Sequence, residues 1–535
     1  MKIQFLGAAQ TVTGSCYMIE TDDKRFAIDC GMHQGNKEIE KRNVDTDIYE
    51  PARIDFFLVT HAHIDHTGLL PRMARMGFKG KIYCTEPTRD LLEIMLQDSA
   101  HIQEMEAEWA TKKQSRKGKK PVEPLYTQDD AARVSRFFET VEYNQPFEPC
   151  PGVRVTYRDA GHILGSAFLE VQVKENGDST RMVFSGDLGR PNQLMVNDPD
   201  EPGIADYLFL ESTYGDRNHK DSGTSRVELA EAIAYSYGHG EKVIIPAFAV
   251  ERTQEVLYTL YLLDKEGKLP KDMPIYLDSP LAIRATEIFR KHPKYMDDEL
   301  RKIIESGEDP LDLPNLRFTL KTHESTALNT MDGPAIIISA SGMCNAGRVK
   351  HHLRHNIWKD GASIVFVGYQ GQGTPGRKIV DGAQTVRLFG EDVAIRAKVF
   401  TIGGFSGHAG QSQILDWVKS IARPEMEVFL VHGEEMSQRT LAGLLKEQFG
   451  VSVNIPEYLE ELMLKPGKIV ETIVDSQRAQ PRVDWLFLIG ETESKMAQLR
   501  KRLEKVEEKD WMEQVEIRDR LVELNSEILS FLSQV

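Results

Sequence analysis

Cysteine is scarce in this chain and carries no paired pattern. Five residues in 535, Cys16, Cys30, Cys84, Cys150 and Cys344, form an odd set with no C-x-x-C. That argues against a disulfide framework and fits a reducing compartment. Long apolar runs are missing too: nothing approaches the ~18 consecutive residues of a spanning helix, so no membrane segment is expected. The N-terminal "MKIQFLGAAQTVTGSC" has one lysine and an apolar run too short for an export signal. It reads as a first strand ending in a glycine-rich turn, and a cytoplasmic location is expected. Positive charge is also short. Sixty-six lysines and arginines face 82 acidic residues, a net charge of −16, which excludes attraction of nucleic acid by overall charge. Any polyanion would need a local basic cleft. The densest basic run, "TKKQSRKGKK" (111–120), reads as a solvated loop.

What is present is an ordinary globular composition, 41% hydrophobic and 28% charged, in a chain long enough for several cores. "KIQFLGAA", "CYMIET" and "RFAIDCG" read as short strands, and "IDFFLVT" (54–60) as a strand buried on both faces. A short helix follows in "GLLPRMARMG", and residues 88–143 read as mostly helical. "GVRVTYRDAG", "AFLEVQV" and "TRMVFSGDLG" return to strands. From about 212, helical pieces alternate with "KVIIPAF", "MPIYLD", "AIIISA" and "SIVFVG", the signature of a parallel sheet and of an inserted α/β domain. The last 45 residues, Glu491 to Val535, contain no glycine or proline and repeat apolar residues at helical spacing, Met496, Leu499, Leu503 and Val506, then Leu521, Leu524, Ile528 and Phe531. This is an amphipathic helix or helical hairpin around Trp511, packed on its own domain or on a second subunit.

The chemistry is concentrated in "THAHIDHTG" (60–68), which puts three histidines and an aspartate into six positions on a strand-to-helix loop. Imidazole and carboxylate are ligands for Zn²⁺ and related ions. His61 and His63 can flank one ion; Asp65 and His66 can point to another. The cluster cannot close two sites alone. Candidates for the remaining ligands stand beside glycine, just after strands: His162 in "DAGHILGSA", Asp187 in "VFSGDLG", His408 in "GGFSGHAG" and His432 in "VFLVHGEE".

These motifs resemble a known family. "HAHIDH" matches the H-x-H-x-D-H signature of the metallo-β-lactamase superfamily, whose fold is a four-layer αβ/βα sandwich, and the later motifs resemble its β-CASP branch, which processes nucleic acids. Asp29 in "AIDCG" matches the structural aspartate that supports the metal loop. Glu211 in "LESTYG", His408 and His432 match motifs of the branch, over roughly residues 1 to 465. The resemblance implies a metallo-β-lactamase domain in two parts, 1–209 and 398–468, an inserted β-CASP α/β domain at 210–397, and a helical extension at 469–535 outside the match. It implies two zinc ions, with manganese as a substitute: one held by His61, His63 and His162, one by Asp65, His66 and His432, with Asp187 bridging. Asp65 would also orient the attacking water. His408, oriented by Glu211, would serve as general acid for the departing 3′ oxygen.

In the family the last ligand position tends to be histidine in RNA-acting members, which favours single-stranded RNA here. Ser406, Arg252, Arg348 and Arg377 are candidates for phosphate contacts in a cleft under the β-CASP cap. The reading is a zinc-dependent endoribonuclease, resembling the bacterial and archaeal relatives of the eukaryotic pre-mRNA 3′-end cleavage enzyme. The alternatives are a 5′–3′ exoribonuclease of the RNase J type, or a small-molecule ester or thioester hydrolase of the same superfamily. A homodimer is expected from the apolar tail and from family habit. "GQGTPG" (371–376) satisfies G-x-G-x-x-G, but Pro375 and "RKIVDG" give no long helix for a dinucleotide to cap.

Overall fold

The computed structural model describes residues 1–115, 120–175, 177–218, 222–371, 373–464, 472–473, 485–509 and 511–532. Part of the basic run at 111–120, and the expected boundary at 468–469, lie outside the described residues.

Two mixed sheets face each other. The first has eight strands, in the order Thr472–Ile473, Glu461–Met463, Lys2–Phe5, Tyr17–Glu20, Arg25–Ile28, Phe56–Leu58, Lys81–Thr85 and Phe138–Val141. The second has seven, in the order Ser452–Asn454, Glu427–Val431, Tyr207–Glu211, Asp178–Phe184, Ala167–Glu175, Val153–Asp159 and Phe147–Cys150. Alternating strand patterns place one apolar set between the sheets. Phe5 and Tyr17 from the first sheet lie against Phe184, Phe209 and Phe429 of the second, with ring centroids 6.0–6.4 Å apart across the gap. The outer face of the second sheet carries Val183, Leu208, Leu210, Val428 and Leu430. It is covered by Ile414, Leu415 and Val418 of the helix Gln411–Lys419 and by Leu441 and Leu445 of Glu435–Phe449. The outer helices of the first sheet include Leu70–Arg75 and the long Glu86–Ser115. This is the αβ/βα sandwich.

One strand falls where a helix was expected. Phe138–Val141 pairs in parallel with Lys81–Thr85 inside the stretch read as helical. It is an edge strand with half-exposed ends, and its pairing partner, not its own pattern, sets its conformation.

Between the strand Tyr207–Glu211 and the helix Gln411–Lys419 the chain builds a third sheet, six strands and all parallel, in the order Leu316–Phe318, Ile275–Leu277, Ile336–Ser339, Val243–Pro246, Ser363–Phe366 and Lys398–Thr401. Its central strands are buried throughout and mostly apolar, as a sheet covered on both faces requires. The last strand carries this sheet past residue 397. The inserted domain is fastened to the sandwich by polar contacts. Asp90 accepts from His292 Nε2 (2.9 Å) and Lys291 Nζ (2.5 Å), Asp297 accepts from the Met195 amide (2.9 Å), and Glu251 accepts from the Leu164 amide (3.1 Å).

All five cysteines are free. The described residues after 476 form a compact unit of their own, with helices Trp485–Leu503 and Trp511–Leu532; Trp511 opens the second helix. Among the described residues no helix is long and apolar enough to cross a membrane.

Candidate metal centre and active site

The site lies where strands of both sheets end and their loops meet, as α/β architectures favour. The loop after Phe56–Leu58 carries His61, His63, Asp65 and His66, the last two in the short helix Ile64–Thr67. His162 precedes Ala167–Glu175, Asp187 follows Asp178–Phe184, Glu211 ends Tyr207–Glu211, and His432 follows Glu427–Val431. His408 enters from the turn before Gln411–Lys419.

Asp29 braces the metal loop from behind. Fully buried, it accepts from the Thr60 amide, the Thr60 hydroxyl and His66 Nδ1, all at 2.8 Å. Burial raises its carboxyl pKa, against the pull of His66 and Thr60. Burial alone would lower His66, but Asp187 and Asp29 outweigh it and raise it. Two residues on, Gly31 comes so near the loop that a β-carbon would stand 1.7 Å from the Asp65 carbonyl oxygen, so no side chain fits there. Asp29 and His432 both hold positive φ, 59° and 49°, strained for non-glycine residues and retained where the site demands them.

The outer partners of the histidines fix which ring nitrogen faces inward. His61 Nδ1 donates to Thr60 Oγ1 (3.0 Å), His162 Nδ1 to the Gly407 carbonyl (3.0 Å), His66 Nδ1 to Asp29 and His432 Nδ1 to Thr213 Oγ1 (3.0 Å). Each therefore turns its Nε2 to the interior, the nitrogen left to face a metal when Nδ1 is held from outside. His63 turns the other way and brings Nδ1 to 3.0 Å from His61 Nε2 and 3.4 Å from His162 Nε2.

Four donors thus converge on one point and three on another. His61, His63, His162 and Asp187 form one group, and Asp65, His66 and His432 a second, with donor atoms in each within 4.8 Å of one another. Asp187 divides its carboxylate between them: Oδ2 lies 3.5 Å from both His61 Nε2 and His162 Nε2, while Oδ1 lies 3.2 Å from His66 Nε2. Asp187 Oδ1 and His432 Nε2 are buried without a hydrogen-bond partner. Buried polar atoms rarely remain so, and a cation between the donors would satisfy both. Burial, with the neighbouring imidazoles, depresses the basicity of His61 and His162, and brings His63 to about 4, so these rings stay neutral and able to ligate. Asp65 would be raised by burial, but His432, His66 and His63 bring it to about 2.

His408 stands apart from both groups. Its Nδ1 lies 3.2 Å from each oxygen of Glu211, and its Nε2 faces the centre, 3.9 Å from Asp187 Oδ2. Glu211 is wholly buried and anchored by the Leu188 amide at 2.5 Å. Burial lowers the His408 pKa, but Glu211 and Asp187 together raise it to about 9. The His408 and Asp65 side chains are 22% and 23% exposed, whereas Asp187 and His432 are at most 4% exposed, so solvent reaches the centre past the former pair. The arrangement suits divalent-metal hydrolysis with a proton donor at its mouth.

The phosphate candidates are placed differently. Ser406 hydrogen bonds Tyr214 beside His408. Arg252 is buried with Nη1 on Glu255. Arg348 donates to Asp278 (2.8 Å) and to the carbonyls of Thr319 (2.9 Å) and Leu320 (2.8 Å). Arg377 pairs with Asp381 one helical turn on, at 2.8–2.9 Å and exposed to solvent. Thr60, Thr213 and the Gly407 carbonyl escaped the sequence reading. The one signal for the threonines was position, directly before His61 and two residues after Glu211.

The chain is similar to known proteins along most of its length. Residues 18–184 match the metallo-beta-lactamase superfamily domain, 253–379 the Beta-Casp domain, and 392–456 the Zn-dependent metallo-hydrolase RNA specificity domain. Ribonuclease TTHA0252 of Thermus thermophilus is 37% identical over 445 residues, 83% of this chain and 96% of that protein. Transcription termination factor FttA of Thermococcus kodakarensis is 31% identical over 488 residues, 87% of this chain and 72% of that protein, and FttA of Methanocaldococcus jannaschii 29% over 478. The chain belongs to the β-CASP branch of the metallo-β-lactamase superfamily.

Proposed function

We propose that this protein is a two-zinc ribonuclease that cuts single-stranded RNA internally. His61, His63 and His162 would hold one ion, Asp65, His66 and His432 the other, and Asp187 both. Bound there, the pair supplies an activated water and a grip on a phosphate oxygen. Asp65 accepts a hydrogen bond from the attacking water and aims it in line with the departing oxygen. His408, held by Glu211, gives its Nε2 proton to the 3′ oxygen as the phosphorus–oxygen bond breaks. Ser406 and Arg377 contact phosphate, while Arg252 and Arg348, each already engaged by a buried carboxylate, shape the cleft around it.

The observation that carries this reading is the proton donor: an imidazole backed by a buried glutamate, 3.9 Å from the carboxylate that joins both donor groups. An alkoxide leaving group needs such a donor. A thiolate from a thioester does not. The match to an RNA specificity domain spans His408 and His432, and a relative with 37% identity is named a ribonuclease.

Cleavage of a circular single-stranded RNA tests the reading, run beside linear RNA and DNA, with and without chelator, with product ends mapped. Linearisation of the circle, blocked by chelator and restored by zinc or manganese, is expected. Shortening of linear RNA only from its 5′ end, with circles intact, would favour the exonuclease; hydrolysis of thioesters alone would overturn the ribonuclease. The proposed homodimer draws support from the tail, where Trp511, Val522, Leu529 and Phe531 are 73, 62, 67 and 61% exposed. The mass of the chain in solution decides it.

A further inference from the structure

Two of the arginines nearest the cleft loops, Arg252 and Arg348, are held by the buried carboxylates of Glu255 and Asp278. What this part of the molecule offers a nucleic acid is aromatic surface. The strands Ile336–Ser339, Val243–Pro246 and Ser363–Phe366 lie side by side and parallel, so the loops that follow them emerge at one edge. Phe248 and Tyr369 sit in two of these loops, and each is 41% exposed. The third loop ties them together. Gln370 Nε2 donates to the Gly342 carbonyl (3.0 Å), and a β-carbon on Gly342 would meet the Phe248 ring at 2.9 Å.

This edge faces the active site. The Tyr369 ring stands edge-on to Tyr214, with centroids 6.5 Å apart at 88°, and Tyr214 stands 6.0 Å from the His408 ring. The Arg217 guanidinium packs 4.8 Å from the Tyr214 centroid and 5.7 Å from that of Tyr369. An unbroken series of rings therefore runs from the proton donor out to an exposed tyrosine.

We propose that Tyr369, backed by Arg217 and flanked by Phe248, is a stacking platform for bases of single-stranded RNA. The proposal rests on the ribonuclease reading above, and it assigns a polarity. His408 serves the departing 3′ oxygen, which belongs to the nucleotide 5′ of the cut. Rings that lead away from His408 receive the upstream bases. Stacking accepts any base, because each has a π face, so the platform sets the path and register of the strand without choosing its sequence.

An abasic scan tests this. Single abasic residues are placed in turn on both sides of a mapped cleavage site in a short RNA, and KM and kcat are measured for the wild type, Tyr369→Ala and Tyr369→Phe. Loss of the base in one of the first upstream positions should raise the wild-type KM by roughly 5- to 150-fold, the range for one base on one ring. Tyr369→Ala should raise KM for intact RNA by a similar factor and should be indifferent to that abasic position, while Tyr369→Phe restores the wild-type pattern. The proposal is overturned if sensitive positions lie downstream, if the two losses multiply, or if Tyr369→Ala leaves KM unchanged. The wild-type scan needs no variant, so a poorly folded alanine protein does not shield the idea. A wild type that cuts no RNA at all refutes the ribonuclease reading itself and takes this inference with it.

Discussion

Removing the imidazole of His408 should cripple cleavage of RNA while sparing a substrate that needs no proton. His408 reaches the centre through Nε2, and its other nitrogen is fixed by two 3.2 Å contacts to Glu211, which is itself pinned by the Leu188 amide. A positioned general acid is worth 10²- to 10⁴-fold in rate, or ~2.7–5.5 kcal/mol of barrier. His408→Ala should lose that much in kcat on RNA, whose departing 3′ alkoxide is a poor leaving group. Against a p-nitrophenyl phosphodiester, whose phenolate departs unprotonated, the same variant should lose less than roughly 10-fold. Glu211→Gln keeps a hydrogen-bond partner but removes the charge. Charge-assisted hydrogen bonds are about twice as strong as neutral ones, so a loss of roughly 10-fold on RNA is expected. Steady-state rates on both substrates, with metal content measured on the same preparations, decide the matter. Equal losses on the two substrates would refute the general-acid role and point to phosphate binding or metal retention instead.

Two further outcomes follow from the groups around the centre. Thr213→Val removes the hydroxyl that holds His432 Nδ1 at 3.0 Å and should weaken one metal by roughly 10- to 100-fold in competition with a chelator, with Thr213→Ser restoring it; unchanged affinity would contradict the orienting role. Asp90 fastens the inserted domain through Lys291 and His292, and although burial would raise its pKa, these two and the neighbouring Arg89 hold it at about 2, below its ordinary 3.8. A depressed carboxyl contributes stability that is present above its unfolded pKa and is lost as pH falls through the folded one. Denaturant unfolding of Asp90→Asn should therefore show a deficit of about 1–2 kcal/mol at pH 7 that closes between pH 4 and pH 2, and a deficit constant with pH would contradict it.

Much of the centre was legible because its ligands carry a local signal. Four donor residues in positions 61–66, and single histidines or aspartates beside glycine after apolar strands, stand out against a background where such residues scatter. The residues that aim those ligands do not stand out. Thr60 and Thr213 are ordinary threonines, and the partner of His162 is the backbone carbonyl of Gly407, 245 positions away. The arginines show the same limit from the other side. In the sequence Arg348 looks free for phosphate, but its guanidinium meets Asp278, 70 positions earlier, only once the parallel sheet has formed. A side chain's chemistry is written in its residue type, whereas its availability depends on which partners folding brings to it.

The count of tightly bound divalent ions bears most directly on the central claim, that loops far apart in the chain share one carboxylate between two cation sites. Elemental analysis of the purified wild type should find two per chain, and of Asp187→Asn at most one. A wild type that retains no metal after zinc loading, or an Asp187→Asn variant that still holds two, would contradict it.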